Sequence, residues 1–295
     1  MFKKFLTMGL TLTLAVGVAA CGSGEETNED ATVGERLDYE IIGIDPGAGL
    51  MKATAQVLED YELTDWELVE GSGAAMTAAL KKAYNNEEPI VVTGWTPHWM
   101  FSKFDLKYLE DPKGIYGEDE SIHTLVRNGL KEDLPGVHQV LDQFNWTSDD
   151  MGEVMVMNED GMSSEESAAQ WVADHADMVA EWTDGAAKGN GEEVTIAFVA
   201  WASEIASTHV IGQVLMDHGY DVTLRQVEVG PMFAGVADGS VDALVAAWLP
   251  ITHADHYSTF EGDFEDLGAN LVGTKVGLVV PSYMDIDSIE DLKSE

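Results

Sequence analysis

Cysteine is almost absent from this sequence, since Cys21 is the single cysteine in 295 residues. An intrachain disulfide is therefore excluded. Basic residues are also scarce, because 15 lysines and arginines stand against 54 aspartates and glutamates, which gives a net charge of −39. Such a charge repels nucleic acids and anionic surfaces, so neither is expected as a partner. It is compatible with a cationic ligand, or with a zwitterion that presents a cationic head.

The motifs of common enzymes are missing as well. The chain has no Gly-x-Ser-x-Gly, no Walker loop, no Cys–His pair and no His-Glu-x-x-His. His253, Asp255 and His256 could suggest a metal site, but this spacing is common on solvated helices and a convergent third ligand is not evident. The sequence therefore predicts a protein that is not an enzyme, with no catalytic residue, metal or cofactor.

A long hydrophobic run occurs only at the N-terminus. Lys3 and Lys4 precede an apolar stretch that ends in Val18-Ala-Ala-Cys21. This pattern predicts a signal peptide over residues 1–20. It also predicts a polar, acidic tether over residues 21–36, with Cys21 as its lipidated first residue, although a chance cysteine near the cleavage site is the alternative. The mature protein is thus expected on the extracellular face of the membrane, held there by lipid.

Strands and helices alternate after the tether. Strand patterns at residues 39–44, 66–69 and 89–92 are separated by helical patterns at 48–61 and 72–84. The same order returns with strands at 194–199, 221–226 and 241–247 and helices at 203–219 and 231–238. This alternation predicts an α/β fold with mostly parallel sheets flanked by helices.

The two alternating segments end alike, because Trp95-Thr-Pro-His98 resembles Trp248-Leu-Pro-Ile-Thr-His253. We interpret this as an internal duplication, with chance similarity as the alternative. Residues 142–188 are acidic and helical in pattern. A late strand at 277–281 and a short helix at 288–292 are interpreted as the chain returning to its first half. The prediction is a clamshell with a ligand in its cleft, in which residues 37–100 plus 257–295 form lobe I and residues 101–256 form lobe II.

Ligands of open α/β sheets collect at the carboxyl ends of the strands. Three of four such ends carry a tryptophan, namely Trp95, Trp201 and Trp248. Each could be a packing residue, but three at equivalent points suit a cage for a quaternary ammonium group. Such a group has no N–H to donate and is attracted to indole faces by about 0.5–2 kcal/mol each.

A carboxylate on the same ligand would need hydrogen-bond donors. Gly49 and Leu50 open a helix directly after a strand, and the free N–H groups of a helix N-terminus bind carboxylates. A tight turn without a ligand is an equally good interpretation. His253 could donate a further hydrogen bond from the other lobe, with a surface or helix-capping role as its alternative.

These motifs together resemble a known family. They are Cys21 with the residues before it, Ile42-Gly-Ile-Asp-Pro-Gly-Ala-Gly49, Val92-Thr-Gly-Trp-Thr-Pro-His-Trp99, Val199-Ala-Trp201 with Ser203-Glu-Ile-Ala-Ser207, and Ala247-Trp-Leu-Pro with Thr252-His253. They resemble the glycine betaine-binding lipoproteins of Gram-positive ABC importers, over essentially the whole mature chain. The resemblance implies a two-lobed fold of the periplasmic-binding-protein type (type II).

The resemblance also implies roles for individual residues. Trp95, Trp201 and Trp248 would surround the trimethylammonium group, while the amides of Gly49 and Leu50 and the side chain of His253 would hold the carboxylate. The expected function is capture of glycine betaine, and of proline betaine as well, for an ABC permease and ATPase in osmoprotection, by a monomer. Choline or carnitine is the alternative ligand. A membrane-anchored hydrolase and an osmolyte sensor without a transporter are alternatives of other classes.

Overall fold

The computed structural model describes residues 31–293. The predicted signal peptide, Cys21 and most of the predicted tether lie outside these residues. No helix within 31–293 is both long and apolar enough to cross a membrane.

Nine strands and twelve α-helices lie within residues 31–293. The strands are β1 (Glu40–Ile42), β2 (Glu67–Val69), β3 (Val92–Thr96), β4 (Leu106–Tyr108), β5 (Glu120–Arg127), β6 (Glu193–Phe198), β7 (Asp221–Gln226), β8 (Ala243–Leu249) and β9 (Phe264–Pro281). The helices are α1 (Val33–Arg36), α2 (Gly49–Asp60), α3 (Gly73–Asn85), α4 (Met100–Lys103), α5 (Leu130–Asp133), α6 (Pro135–Gln143), α7 (Ser148–Glu159), α8 (Ser164–Asp174), α9 (Ala176–Trp182), α10 (Ala202–Asp217), α11 (Val229–Asp238) and α12 (Ala254–Thr259). A short 3₁₀-helix, Ile289–Leu292, ends the described chain.

The predicted alternation of strands and helices is confirmed in both halves. β1 pairs in parallel with β2 and β3, so the first three strands lie in the order β2-β1-β3. β6 pairs in parallel with β7 and β8, so the second three lie in the order β7-β6-β8. The same arrangement thus occurs twice, and it brings the carboxyl ends of the parallel strands in each half to one edge of their sheet.

The helices begin where the sequence provides caps. The Ser72 hydroxyl accepts a hydrogen bond from the Ala75 amide at 3.2 Å and begins α3. Thr147 and Ser163 form capping boxes at the starts of α7 and α8. These caps satisfy amides that have no partner inside the helix. The acidic segment between the two repeats is therefore helical, as its pattern predicts.

The long strand β9 joins the two half-sheets. Its residues 264–274 pair antiparallel with β5, and residues 275–279 pair antiparallel with β3. The sequence predicts only 277–281 as a strand. Residues 277–281 are buried, whereas most positions in residues 264–275 are partly or fully exposed. The first half of β9 therefore has the polar pattern that is typical of a loop. Its pairing with β5 holds it in an extended strand.

Two strands outside the repeats were not predicted. β5 contains Glu120 and His123 among its apolar residues, which weakens the strand pattern. β4 has three residues, and it pairs with residues 279–281 of β9. β4 therefore joins the first sheet, although the sequence places residues 101–256 in lobe II. The division into lobes at these boundaries remains a prediction.

Candidate functional site

A small cavity lies where the carboxyl ends of β1, β3, β6 and β8 meet. It contains about 320 Å³ of space not occupied by protein atoms, part of which is open to solvent. Its lining is Ile44, Ala48, Leu50, Trp95, Trp201, Ser203, Glu204, Trp248, Thr252, His253 and Val276. The structure thus brings together five of the six predicted ligand-binding residues, all except Gly49.

The three indole rings of the cavity are buried and held in place. Trp95, Trp201 and Trp248 expose 5%, 7% and 4% of their surface. Each indole N–H donates to a side chain, and the pairs are Trp95 with Ser203 at 3.1 Å, Trp201 with Asp45 at 2.8 Å and Trp248 with Glu204 at 2.9 Å. Because every indole donor is used within the protein, the rings offer a ligand their apolar faces. Such faces suit a methylated cation.

His253 provides a hydrogen-bond donor at the same cavity. Its side chain is fully buried, and its Nδ1 accepts the backbone N–H of Trp248 at 3.0 Å. Burial lowers the pKa of His253 to about 3, with a smaller contribution from the neighbouring His256. The ring is therefore neutral near pH 7 and carries its proton on Nε2. Nε2 has no hydrogen-bond partner within residues 31–293, so a ligand oxygen would satisfy it.

We expect His253 to remain neutral throughout the range in which an ordinary histidine gains a proton. In the empty protein its ring Hε1 chemical shift should be constant from pH 8 to pH 5, because the lowered pKa places protonation near pH 3. A proton NMR titration measures this, and the denatured protein is the control, where a midpoint near 6.5 is expected. A midpoint near 6.5 in the folded protein would contradict the assignment of Nε2 as donor.

The N-terminus of α2 lies beside His253. No side chain caps this helix, and its first turn contains no acidic residue. The first amides of an α-helix have no partner within the helix, so those of Gly49 and Leu50 are suited to an anion. Leu50 lines the cavity, whereas the Cα of Gly49 packs against the backbone of Thr252. A Cβ on Gly49 would lie 1.8 Å from the Thr252 carbonyl oxygen, which explains why glycine is needed there.

The turn that carries Thr252 and His253 is held by a buried carboxylate. Glu120 of β5 accepts hydrogen bonds from the backbone N–H of Ile251 at 3.0 Å and of Thr252 at 2.7 Å. It also accepts from the Thr252 hydroxyl. Glu120 exposes 2% of its surface. Through Glu120, strand β5, which was not predicted from the sequence, therefore positions one side of the cavity.

Sequence reasoning missed Ser203, Glu204 and Thr252. Ser203 and Glu204 follow Trp201, directly after a predicted strand. Nothing in the sequence pattern distinguishes Glu204, which is buried, from the many acidic residues that are exposed. No lysine or arginine is among the residues that line the cavity in the described part of the chain. The cavity therefore offers an anion no fixed positive charge, and it combines apolar faces with one buried acid and neutral N–H donors.

The chain is similar to known proteins over its length. The family described as the substrate binding domain of ABC-type glycine betaine transport systems matches residues 24–174 and 192–295. The glycine betaine/carnitine transport binding protein of Listeria monocytogenes is 51% identical over 298 residues, which is 100% of this chain and 99% of that protein. The family match includes both repeated strand-and-helix units and every residue that lines the cavity.

Two solved structures are similar over about half of the chain. A lactococcal binding protein in its closed conformation with glycine betaine is 48% identical, with a TM-score of 0.49 over 53% of this chain and 61% of that one. A glycine betaine and L-proline binding protein of Borrelia burgdorferi is 38% identical, with a TM-score of 0.49 over 52% of this chain and 58% of that one.

Proposed function

Because this chain belongs to the family of substrate-binding domains of ABC-type glycine betaine transport systems, we propose that its cavity binds glycine betaine for uptake by an ABC importer. The family is one of binding domains, not of enzymes. The observation that carries the proposal is the pairing, in one small cavity, of three fixed indole rings with N–H donors that have no partner among the described residues. These are the two kinds of group that the two ends of a betaine require.

The cationic end is recognised by the indole faces. A trimethylammonium group makes no conventional hydrogen bond, and its diffuse charge is attracted to the rings of Trp95, Trp201 and Trp248. Their N–H groups are bonded to other side chains, so the rings are preorganised. Less conformational entropy is then lost on binding.

The carboxylate end is recognised by neutral donors. His253 Nε2 and the free amides at the start of α2 supply them without a positive charge. Binding would connect Leu50 and Trp95 of the first repeat with Trp201, Trp248 and His253 of the second. A ligand that makes more contacts in the closed than in the open arrangement shifts the population toward closure. The closed protein is the form that we propose docks on the permease.

A titration series tests the function. We expect calorimetry with the mature protein to show binding of glycine betaine and proline betaine, with the ligand recovered unchanged. Carnitine is the second candidate, since the relative that is 51% identical is named for glycine betaine and carnitine. Choline has no carboxylate, so His253→Ala should weaken glycine betaine binding much more than choline binding. Absence of heat with all four compounds would contradict the proposed function.

We further propose that the protein is a monomer held on the extracellular face of the membrane through lipid on Cys21. The pattern Val18-Ala-Ala-Cys21 after a basic and apolar stretch supports this proposal. The mass of the mature N-terminal peptide, with or without attached acyl chains, decides whether Cys21 is lipidated.

A further inference from the structure

A buried carboxyl group lines the same cavity as the three indoles, and the function described above does not use it. Glu204, in the first turn of α10, lines the cavity and exposes 1% of its surface. Its Oε1 accepts the Trp248 indole N–H at 2.9 Å. Its Oε2 is buried and has no hydrogen-bond partner within residues 31–293. An unpaired carboxyl oxygen is costly in such a place unless something outside the chain pairs with it.

The surroundings of Glu204 contain no cation of the protein. The other titratable side chain in the lining is His253, which is neutral, and no lysine or arginine lines the cavity in the described chain. Burial raises the pKa of Glu204 to about 8, and the hydrogen bond from Trp248 opposes this rise. Near pH 7 the empty cavity therefore holds Glu204 largely as the neutral acid, and a cation that enters from outside would favour its charged carboxylate form.

We propose that Glu204 is a further specificity-determining residue, whose carboxylate makes the cage select a cationic head over a neutral group of the same shape. The inference rests on the proposed function and deepens it. Indole faces also attract a tert-butyl group through apolar contact, so part of their binding energy does not depend on charge. A carboxylate in a dry site adds an attraction that depends on charge, and this attraction is much stronger there than in water.

A purely structural role for Glu204 makes a different prediction. If Glu204 merely held the Trp248 ring, its loss would weaken the binding of cationic ligands and of neutral ligands by the same factor. Ser203 provides the matched comparison, because it holds the Trp95 ring in the same way through an uncharged hydroxyl. Glutamine at position 204 keeps an acceptor for the Trp248 N–H and removes the charge.

The test compares glycine betaine with 3,3-dimethylbutyrate, in which carbon replaces the nitrogen and the carboxylate is retained. Their affinity ratio is measured by calorimetry for the wild type, Glu204→Gln and Ser203→Ala. We expect Glu204→Gln to reduce the preference for glycine betaine about tenfold or more, since a lost charge pair in a dry site is worth at least that factor. Ser203→Ala should weaken the binding of both ligands by the same factor and leave their affinity ratio unchanged.

An unchanged ratio in Glu204→Gln would overturn the role of Glu204 and leave the proposed function intact. Failure of the wild type to bind glycine betaine would instead contradict the proposed function, and this inference with it. Circular dichroism and the melting temperature establish that the variant is folded. If Glu204→Gln does not fold, Glu204→Met carries the same expectation, and Glu204→Asp, which keeps the charge, should preserve the preference.

Discussion

Replacing Gly49 with alanine is expected to weaken glycine betaine binding about 10- to 100-fold, because the new methyl group would collide with the backbone of Thr252. Its Cβ would lie 1.8 Å from the carbonyl oxygen and 2.8 Å from the carbonyl carbon of Thr252. A backbone group cannot rotate away as a flexible side chain can. The start of α2 and the turn that carries His253 would have to separate, and the donors on each would no longer converge.

Gly47→Ala is the matched control for this prediction. It lies two residues earlier in the same segment, and its Cβ would meet only a methyl group of Val229 at 3.7 Å, an ordinary contact. Calorimetry should therefore show affinity near that of the wild type for Gly47→Ala. Thermal melting of both variants separates loss of binding from loss of folding. Wild-type affinity in Gly49→Ala would show that the close approach of α2 to Thr252 is not required for binding.

Trp95→Leu is expected to weaken glycine betaine binding by about 1–3 kcal/mol, which is roughly 5- to 150-fold. Leucine keeps an apolar surface but removes the ring that attracts the cation. Trp95 is the most suitable of the three indoles for this test, because its N–H partner is the uncharged hydroxyl of Ser203. Replacement of Trp248 would instead leave the buried Glu204 without its donor.

Trp66→Leu provides the control for the loss of a buried tryptophan. Trp66 exposes 7% of its surface and donates to the Leu292 carbonyl oxygen at 3.0 Å, but it does not line the cavity. We expect this variant to melt at a lower temperature and to keep its affinity for glycine betaine. Equal loss of affinity in both variants would mean that Trp95 acts through stability and not through contact with the ligand.

Much of the fold could be predicted because its strongest signals are local. The parallel strands of both repeats are short apolar runs beside amphipathic helices, and their order along the chain indicates an α/β fold. The first half of β9 and the strand β5 were not predictable in this way. Both contain polar residues, and their pairing with each other decides that they are strands.

The residues of the site differ in the same way. Some are indicated by the sequence next to them, and others only by contacts with distant residues. Trp95, Trp201 and Trp248 follow or end apolar strands, so their position along the chain predicts a shared cavity. Glu204 gives no such signal, since the sequence contains 54 acidic residues and nothing local marks this one as buried. The use of the indole N–H groups by Ser203, Asp45 and Glu204 depends on side chains that are 44 to 156 residues apart in the sequence.

By itself the sequence determined the class of fold, the repeated strand-and-helix units and the residues at the strand ends, because periodicity and turn chemistry act over a few residues. Tertiary structure alone decided which atoms are free to meet a ligand. The side chains that accept from the indole N–H groups, and the Thr252 backbone that forces glycine at position 49, come from distant parts of the chain. Their arrangement is a property of packing, which no local pattern contains.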